Sequence, residues 1–232
     1  DQDVGHDVMR VFNIFTGPLH HATFRRLLVA PFEMKRAFLD LISRERGLGS
    51  DGRIVVKVNS VEDADVCRAI YEAAAEGVRI DLICRDICRV RPGLEGVSET
   101  VRVHSVVGRF LEHSRIFYFG NGGDPRWYIG SADLMSRNLE GRMEAVVPVR
   151  DRRHHGELEV VLRAMLADNR RRWVMNADGG YVQVKPGDDE LDAQCFLMER
   201  ARRNGEWELP EWVPPLAADH RDSTPPPVLP DG

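Results

Sequence analysis

The sequence predicts an α/β fold in which helices flank a β-sheet, and three features of the pattern indicate it. Strand-like and helix-like segments alternate from residue 26 to residue 84, which is typical of a parallel sheet flanked by helices. Short strand-like segments then follow one another from residue 101 to residue 149. Helical periodicity returns at residue 151.

Each element follows from local composition. Apolar residues at helical spacing predict a first helix over 8–15, which Thr16, Gly17 and Pro18 end. Runs of β-branched residues predict strands, and a 3.6-residue apolar period predicts helices. The expected elements are strand 26–30, helix 32–45, strand 53–58, helix 64–75, strands 79–84, 101–106, 116–119, 127–129 and 143–149, helix 151–166, a weak strand at 173–174 and helix 190–203. Prolines from Pro210 onward predict a flexible tail that does not pack.

Composition narrows the class of protein. The 232 residues, 43% apolar and 30% charged, exclude wholesale disorder. A net charge of -5 argues against a nucleic-acid binder that depends on bulk positive charge. No apolar run approaches the roughly 20 residues of a membrane span, and the N-terminus lacks the pattern of a signal peptide. The four cysteines show no paired spacing, so we expect a reduced, cytoplasmic protein, with peripheral membrane association left open.

The strongest local feature is the segment 112–115, Glu-His-Ser-Arg, which enters an apolar strand. His113 and Arg115 are two residues apart, a spacing that places both side chains on one face of a strand. The pair suits phosphoryl transfer, because imidazole exchanges protons near neutral pH and guanidinium binds phosphate oxygens in a bidentate fork. A structural histidine at the start of a strand is the simpler alternative.

A small polar turn follows the next predicted strand. In residues 130–133, backbone N–H groups and the hydroxyl of Ser131 suit an anion. The carboxylate of Asp133 equally suits orientation of the histidine, as in catalytic triads. Arg137 and Arg142 lie just beyond and add two cations. Alone, the turn is a weak signal.

Together these motifs resemble the C-terminal catalytic region of long-chain bacterial polyphosphate kinases. Segments 110–115, 119–123 and 130–133 are close to motifs of that family, and they echo the two halves of phospholipase-D-type sites. The resemblance implies a phospholipase-D-like mixed sheet. It also implies a linker helix from an absent upstream domain (1–20) and the phospholipase-D-like domain (21–208). The prolines predict a third part, a disordered proline-rich tail (209–232).

The resemblance also implies an activity and its residues. Polyphosphate kinases move the terminal phosphate of ATP reversibly onto polyphosphate through a phosphohistidine, which lies in an upstream domain. His113 matches the second active-site histidine, and Arg85 matches an arginine that binds the nucleotide phosphates. Mg²⁺ is the implied cofactor, with its associated residues upstream. The implied partners are ATP, ADP, polyphosphate and the upstream domains, with a homo-oligomer left open, and the chain alone is expected to be inactive.

Lys57 and Asn59 end the strand that neighbours the one preceding Arg85. Because α/β folds gather ligand-binding groups at the carboxyl ends of strands, we expect these side chains to form a positive cradle for phosphate. A surface lysine is an equally good interpretation of Lys57. Asp86 departs from the family pattern, which has glycine there, and its carboxylate either pairs with Arg85 or points away.

Other candidates carry less weight. Cys84 and Cys88 lack the further ligands that a zinc site needs. His104 is expected to be exposed, and the run 170–172 is expected to be a solvated basic turn.

Two further function classes stay open. A non-catalytic module would bind nucleotide or polyphosphate without turnover. A phospholipase-D-like phosphodiesterase would form its site when two copies bring their His113 residues together. We rank the phosphodiesterase last, because Arg115 and Asp133 follow the kinase pattern.

Overall fold

A computed structural model describes residues 1–17 and 22–217, and residues 18–21 and 218–232 lie outside the described part. In that part, no helix has the length and apolar character needed to cross a bilayer. The helices are α1 (Gln2–Thr16), α2 (Met34–Arg46), α3 (Ala64–Ala75), α4 (His155–Ala167) and α5 (Ala193–Arg202). The strands are β1 (Leu28–Ala30), β2 (Arg53–Val58), β3 (Arg79–Cys84), β4 (Val101–Val106), β5 (Arg115–Phe119), β6 (Arg126–Gly130), β7 (Glu144–Pro148), β8 (Arg172–Met175) and β9 (Tyr181–Gln183).

These strands form one mixed sheet in the order β1-β7-β6-β5-β2-β3-β4-β8-β9. Strands β2, β3 and β4 are parallel, and the other neighbouring pairs are antiparallel. The predicted mixed sheet with flanking helices is therefore confirmed. The first predicted strand does not extend the parallel set, since β1 lies at the sheet edge and pairs antiparallel with β7.

Helices cover both faces of the sheet, and β2 lies in the middle with all six residues buried. Val56 packs in one core with Phe38 of α2 and Ile70 of α3. Val55 packs in the other core with Leu162 of α4 and Phe196 of α5. A strand buried on both faces admits a charged side chain only where a partner is buried with it.

Helix α1 is tied to the domain by one buried carboxylate. Asp7 is fully buried and accepts hydrogen bonds from the backbone N–H groups of Arg25, Arg26 and Leu27, at 2.6 to 3.0 Å. Burial raises the pKa of Asp7, but these hydrogen bonds outweigh burial and hold the pKa below its ordinary value. The carboxylate therefore fixes the segment that leads into β1.

One expectation for the C-terminal region is wrong, and one strand was not predicted. The segment 210–217 is anchored to the domain, because the apolar side chains of Val213 and Leu216 are buried in the core beside α4. Arg163 of α4 holds the segment by donating to the carbonyls of Val213, at 2.6 Å, and Pro214, at 2.9 Å. The pattern also fails to predict β9, whose three residues give no clear apolar alternation. The rest of the expected tail lies outside the described residues.

A buried ionic network crosses the α4–α5 side of the sheet, and His104 belongs to it. The expectation that His104 is exposed is wrong, because its side chain is 4% exposed and its Nε2 lies 2.8 Å from Asp81. Arg172 approaches its Nδ1 at 3.2 Å, and Arg53 pairs with Asp81. Burial raises the pKa of Asp81, yet Arg53 and His104 outweigh burial and hold it well below its usual range. The network is structural, since burial removes it from ligands.

Candidate active site

Segments that are far apart in sequence meet at one edge of the sheet. Strands β2 and β3 are parallel, so their carboxyl ends lie together at the pair Val58 and Cys84. Strand β5 runs antiparallel to β2 and begins at that edge, and β6 runs antiparallel to β5 and ends there. The residues that follow β2, β3 and β6 are therefore neighbours of those that precede β5. This edge carries the Asp133 cluster, which consists of Asn59, Arg85, His113, Arg115 and Asp133.

The carboxylate of Asp133 is the centre of this cluster. The residue is 6% exposed and accepts four hydrogen bonds. Its Oδ1 accepts from the backbone N of Asn59 at 2.8 Å and from Nε of Arg115 at 3.1 Å. Its Oδ2 accepts from Nδ2 of Asn59 and Nη2 of Arg115, both at 3.0 Å. The two-bond contact with a guanidinium is strong and directional, so Asp133 fixes the orientation of Arg115.

The imidazole of His113 is exposed and is oriented by Arg115. Nη1 of Arg115 lies 3.0 Å from Nδ1 of His113 and donates to the His113 carbonyl at 2.7 Å. A guanidinium has only donors, so Nδ1 is the acceptor and the proton of the neutral ring is on Nε2. The expected proximity of the two side chains is present. Asp133 orients the histidine through Arg115 rather than by contact with the ring.

Arg85 follows β3, is half-buried, and keeps most of its donors unused. Its Nη2 donates to Oδ1 of Asn59 at 2.8 Å, and it makes no other hydrogen bond to the residues that the structure describes. Its Nε is buried without a partner among them. Asp86 forms no ion pair with Arg85, and its backbone N donates to the Asn59 carbonyl at 2.8 Å. A partly buried guanidinium whose other N–H donors lack partners favours the binding of an anion.

Lys57 is 2% exposed, so the interpretation as a surface lysine is wrong. Its Nζ donates to the carbonyl of Ser114 at 2.9 Å and lies 3.5 Å from Oε2 of Glu112. Burial lowers the pKa of Lys57, Glu112 opposes this, and Arg115 and Arg85 lower it further. Sequence reasoning missed Glu112 as the counterion. The available signal is the lysine itself, because a buried apolar strand tolerates one only beside a carboxylate.

The remaining predicted residues are not joined to the Asp133 cluster by hydrogen bonds. The hydroxyl of Ser131 donates to Glu144, whose other oxygen accepts from Nδ2 of Asn138 at 2.6 Å. The side chains of Arg137 and Arg142 are exposed and form no hydrogen bond or ion pair with the described part of the chain. Ser131 is therefore satisfied within the protein, whereas the two arginines are available to a ligand.

Residues 1–17 and 22–217 contain no group of three His, Cys, Asp or Glu side chains arranged to hold a metal ion. The carboxylates nearest the histidine, Asp133 and Glu112, already face cations. The residues present therefore do not fit the Mg²⁺ that the family resemblance implies.

The sequence around this site matches the family described as polyphosphate kinase C-terminal domain 2, over residues 27–194. That range covers most of the 232 residues and contains the whole Asp133 cluster. The chain belongs to the polyphosphate kinase family. The resemblance drawn from its motifs is thereby confirmed.

Individual polyphosphate kinases match over nearly the whole chain. The identity is 48% over 208 residues with the polyphosphate kinase of Thermosynechococcus vestitus, covering 88% of this chain and 28% of that protein. It is 42% over 199 residues with that of Pseudomonas aeruginosa, covering 84% and 29%. The chain therefore spans less than a third of the length of these polyphosphate kinases.

A solved structure agrees with the fold. The crystal structure of polyphosphate kinase from Porphyromonas gingivalis superposes with a TM-score of 0.83 at 36% identity. The superposition covers 89% of this chain and 32% of that one. The mixed sheet described above is thus a fold present within a polyphosphate kinase.

The ionisation of Asp133 gives this site a measurable pH dependence. Burial raises the pKa of Asp133, but hydrogen bonds from Arg115 and Asn59 outweigh burial and bring it below its ordinary value. The stabilisation of the folded state by ionised Asp133 is therefore complete above the pKa of the unfolded chain, about 3.9. It is lost as the pH falls through the pKa of the folded state. Asp133→Asn is expected to reduce the free energy of unfolding at pH 7 by about 1–3 kcal/mol.

Urea unfolding of both proteins between pH 7 and pH 3 measures this difference. We expect the difference in free energy of unfolding between the unmodified chain and Asp133→Asn to narrow below about pH 4. Contributions from Asp7 and Asp81, whose pKa values are also lowered, are common to both proteins and cancel. A gap that stays constant over this range contradicts the ionised role of Asp133.

Proposed function

We propose that this chain supplies one side of a polyphosphate kinase active site, which transfers the terminal phosphate of ATP to polyphosphate and, in reverse, returns it to ADP. Arg85 carries the proposal. Its half-buried guanidinium makes one hydrogen bond, to Asn59, and its Nε is buried without a partner among the described residues. A phosphate oxygen at this position would satisfy the remaining donors and balance the charge.

His113, in the loop that leads into β5, and Arg115, the first residue of β5, have distinct roles in this proposal. His113 presents its Nε2–H group to phosphate oxygens and exchanges that proton as charge develops on them. Arg115 already uses four of its five N–H groups on Asp133 and His113. It therefore orients the imidazole and leaves one N–H group for phosphate.

The surrounding residues act less directly. Asn59 holds Arg85 in place, and Lys57 contributes its positive charge from beneath the site. Ser131 supports the turn after β6, because its hydroxyl is already bonded within the protein. Arg137 and Arg142, both exposed, extend the positive surface on which a polyphosphate chain would lie.

In the proposed reaction the bond between the γ-phosphorus of ATP and its bridging oxygen breaks, and a bond from that phosphorus to the acceptor forms. Positioning and charge stabilisation dominate such transfers. The residues of this chain act on the phosphate oxygens, and we assign the phosphohistidine and the Mg²⁺ site to parts of the kinase outside this chain. We place the reaction in the cytoplasm, in keeping with its four free cysteines.

Removal of Arg85 tests the phosphate site. Arg85→Ala is expected to weaken ATP binding by about tenfold or more, because it removes a charge-assisted hydrogen-bond donor. Isothermal titration calorimetry of the isolated chain measures the affinity. The matched control is Arg89→Ala, since Arg89 lies on the same loop as Arg85, is exposed and pairs with Glu62. Equal losses for both variants, or no loss for Arg85→Ala, contradict the assignment.

A chimera tests the catalytic assignment. The isolated chain is expected to make no polyphosphate from ATP, whereas it should support synthesis when it replaces the matched segment of the Pseudomonas aeruginosa polyphosphate kinase. His113→Ala in that chimera should lower the rate by about 100-fold or more, the usual contribution of a positioned acid or base. A folded chimera that binds ATP but never transfers phosphate identifies this chain as a binding module instead. Synthesis by the isolated chain would also overturn the proposal.

A further inference from the structure

The loop that presents the histidine has almost no backbone support of its own. We call residues 108–114 the histidine loop. Among the described residues, no backbone-to-backbone hydrogen bond outside helices and strands involves residues 108–113. The preceding residue is held by one such bond, from the N–H of Val107 to the carbonyl of Arg171. Side chains from elsewhere in the fold must therefore set the position of His113.

In the described part of the chain, one buried side chain makes half of the side-chain hydrogen bonds to the backbone of this loop, and Arg115 and Lys57 make the others, to the carbonyls of His113 and Ser114. Gln194, in the first turn of α5, is 5% exposed. Its Oε1 accepts from the backbone N of Phe110 at 3.0 Å, and its Nε2 donates to the Phe110 carbonyl at 3.0 Å. The amide therefore pairs with both backbone groups of Phe110, as a neighbouring strand would. A Cβ at Gly108 would lie 2.5 Å from Oε1, so the close approach requires glycine there.

The same amide also reaches the charged part of the site. Nε2 of Gln194 donates to Oε1 of Glu112 at 2.8 Å. The other oxygen of Glu112 faces Nζ of Lys57 at 3.5 Å, and Nζ donates to the Ser114 carbonyl at 2.9 Å. These contacts hold the histidine loop on both sides of His113. Both N–H groups of the Gln194 amide and one lone pair of its oxygen are thereby used.

The start of α5 is itself rigidly held. Asp168 is fully buried, and its Oδ2 accepts from the backbone N of Ala193 at 2.7 Å. Its Oδ1 accepts from the backbone N–H groups of residues 170–172 at 2.6 to 3.2 Å. The backbone next to Gln194 is therefore fixed by these hydrogen bonds, as a residue that positions another residue requires.

We propose that Gln194 is a positioning residue for His113, and that it acts through the backbone of Phe110 and the carboxylate of Glu112. A catalytic effect of Gln194 rests on the proposed function. Its effect on the position of His113 is measurable without any ligand.

Gln194→Leu removes the amide while keeping a side chain of similar length, and the matched control is Gln183→Leu. Gln183 is exposed and donates one hydrogen bond, to the carbonyl of Arg170. By NMR, we expect amide exchange at Phe110 to accelerate about tenfold in Gln194→Leu, as loss of one ordinary hydrogen bond implies. The ¹⁵N shifts of the neutral His113 ring should move from a single Nε2–H tautomer to a mixture. Gln183→Leu should change neither signal.

Gly108→Ala provides a second route if Gln194→Leu does not fold. Its added Cβ would lie 2.5 Å from Oε1 and would displace the flexible end of Gln194 without a substitution in α5. The proposal predicts the same two changes. Unchanged exchange at Phe110, or faster exchange with an unchanged His113 tautomer, overturns it.

Affinity for ATP separates this inference from the function on which it rests. If the unmodified chain binds ATP, Gln194→Leu should weaken binding by about threefold to tenfold. Absence of ATP binding by the unmodified chain would count against the phosphate site at Arg85. The exchange and tautomer measurements would still decide the role of Gln194.

Discussion

The four hydrogen bonds to the carboxylate of Asp133 are the constraint on which the candidate site depends. They join the end of β2, through Asn59, to the start of β5, through Arg115, and to the turn after β6. These segments are 74 and 18 residues away from Asp133 in sequence. A buried carboxylate is stable only when its oxygens are satisfied, so the fold and the orientation of Arg115 are fixed together.

The balance of charge then explains where an anion would bind. The site holds three cations and two carboxylates: Lys57 faces Glu112, Arg115 faces Asp133, and Arg85 contacts only the amide of Asn59 among the described residues. Lys57 and Arg115 are each paired, so the excess positive charge lies at Arg85. A protein with a net charge of -5 can therefore present a local phosphate site, because the arrangement of its charges matters more than their sum.

Local patterns predicted much of this arrangement, and long-range packing accounts for what they missed. The two-residue spacing of His113 and Arg115 predicted side chains on one face of a strand, and the two side chains do lie side by side, although the strand begins only at Arg115. The pairing of β1 with β7 was missed, because strand order depends on topology that periodicity does not report. The roles of Glu112 and Gln194 were missed for the same reason, since Gln194 meets the histidine loop from 84 residues beyond Phe110. The prolines predicted a segment that does not pack, but burial of Val213 and Leu216 anchors residues 210–217 to the domain.

Side-chain NMR of the chain, labelled with ¹⁵N in arginine and histidine, tests the phosphate site most directly during titration with ATP. We expect the Nε signal of Arg85 and the ring signals of His113 to shift together along one binding curve. Shifts confined to other basic residues, such as Arg170 and Arg171, with Arg85 and His113 unchanged, would contradict this expectation.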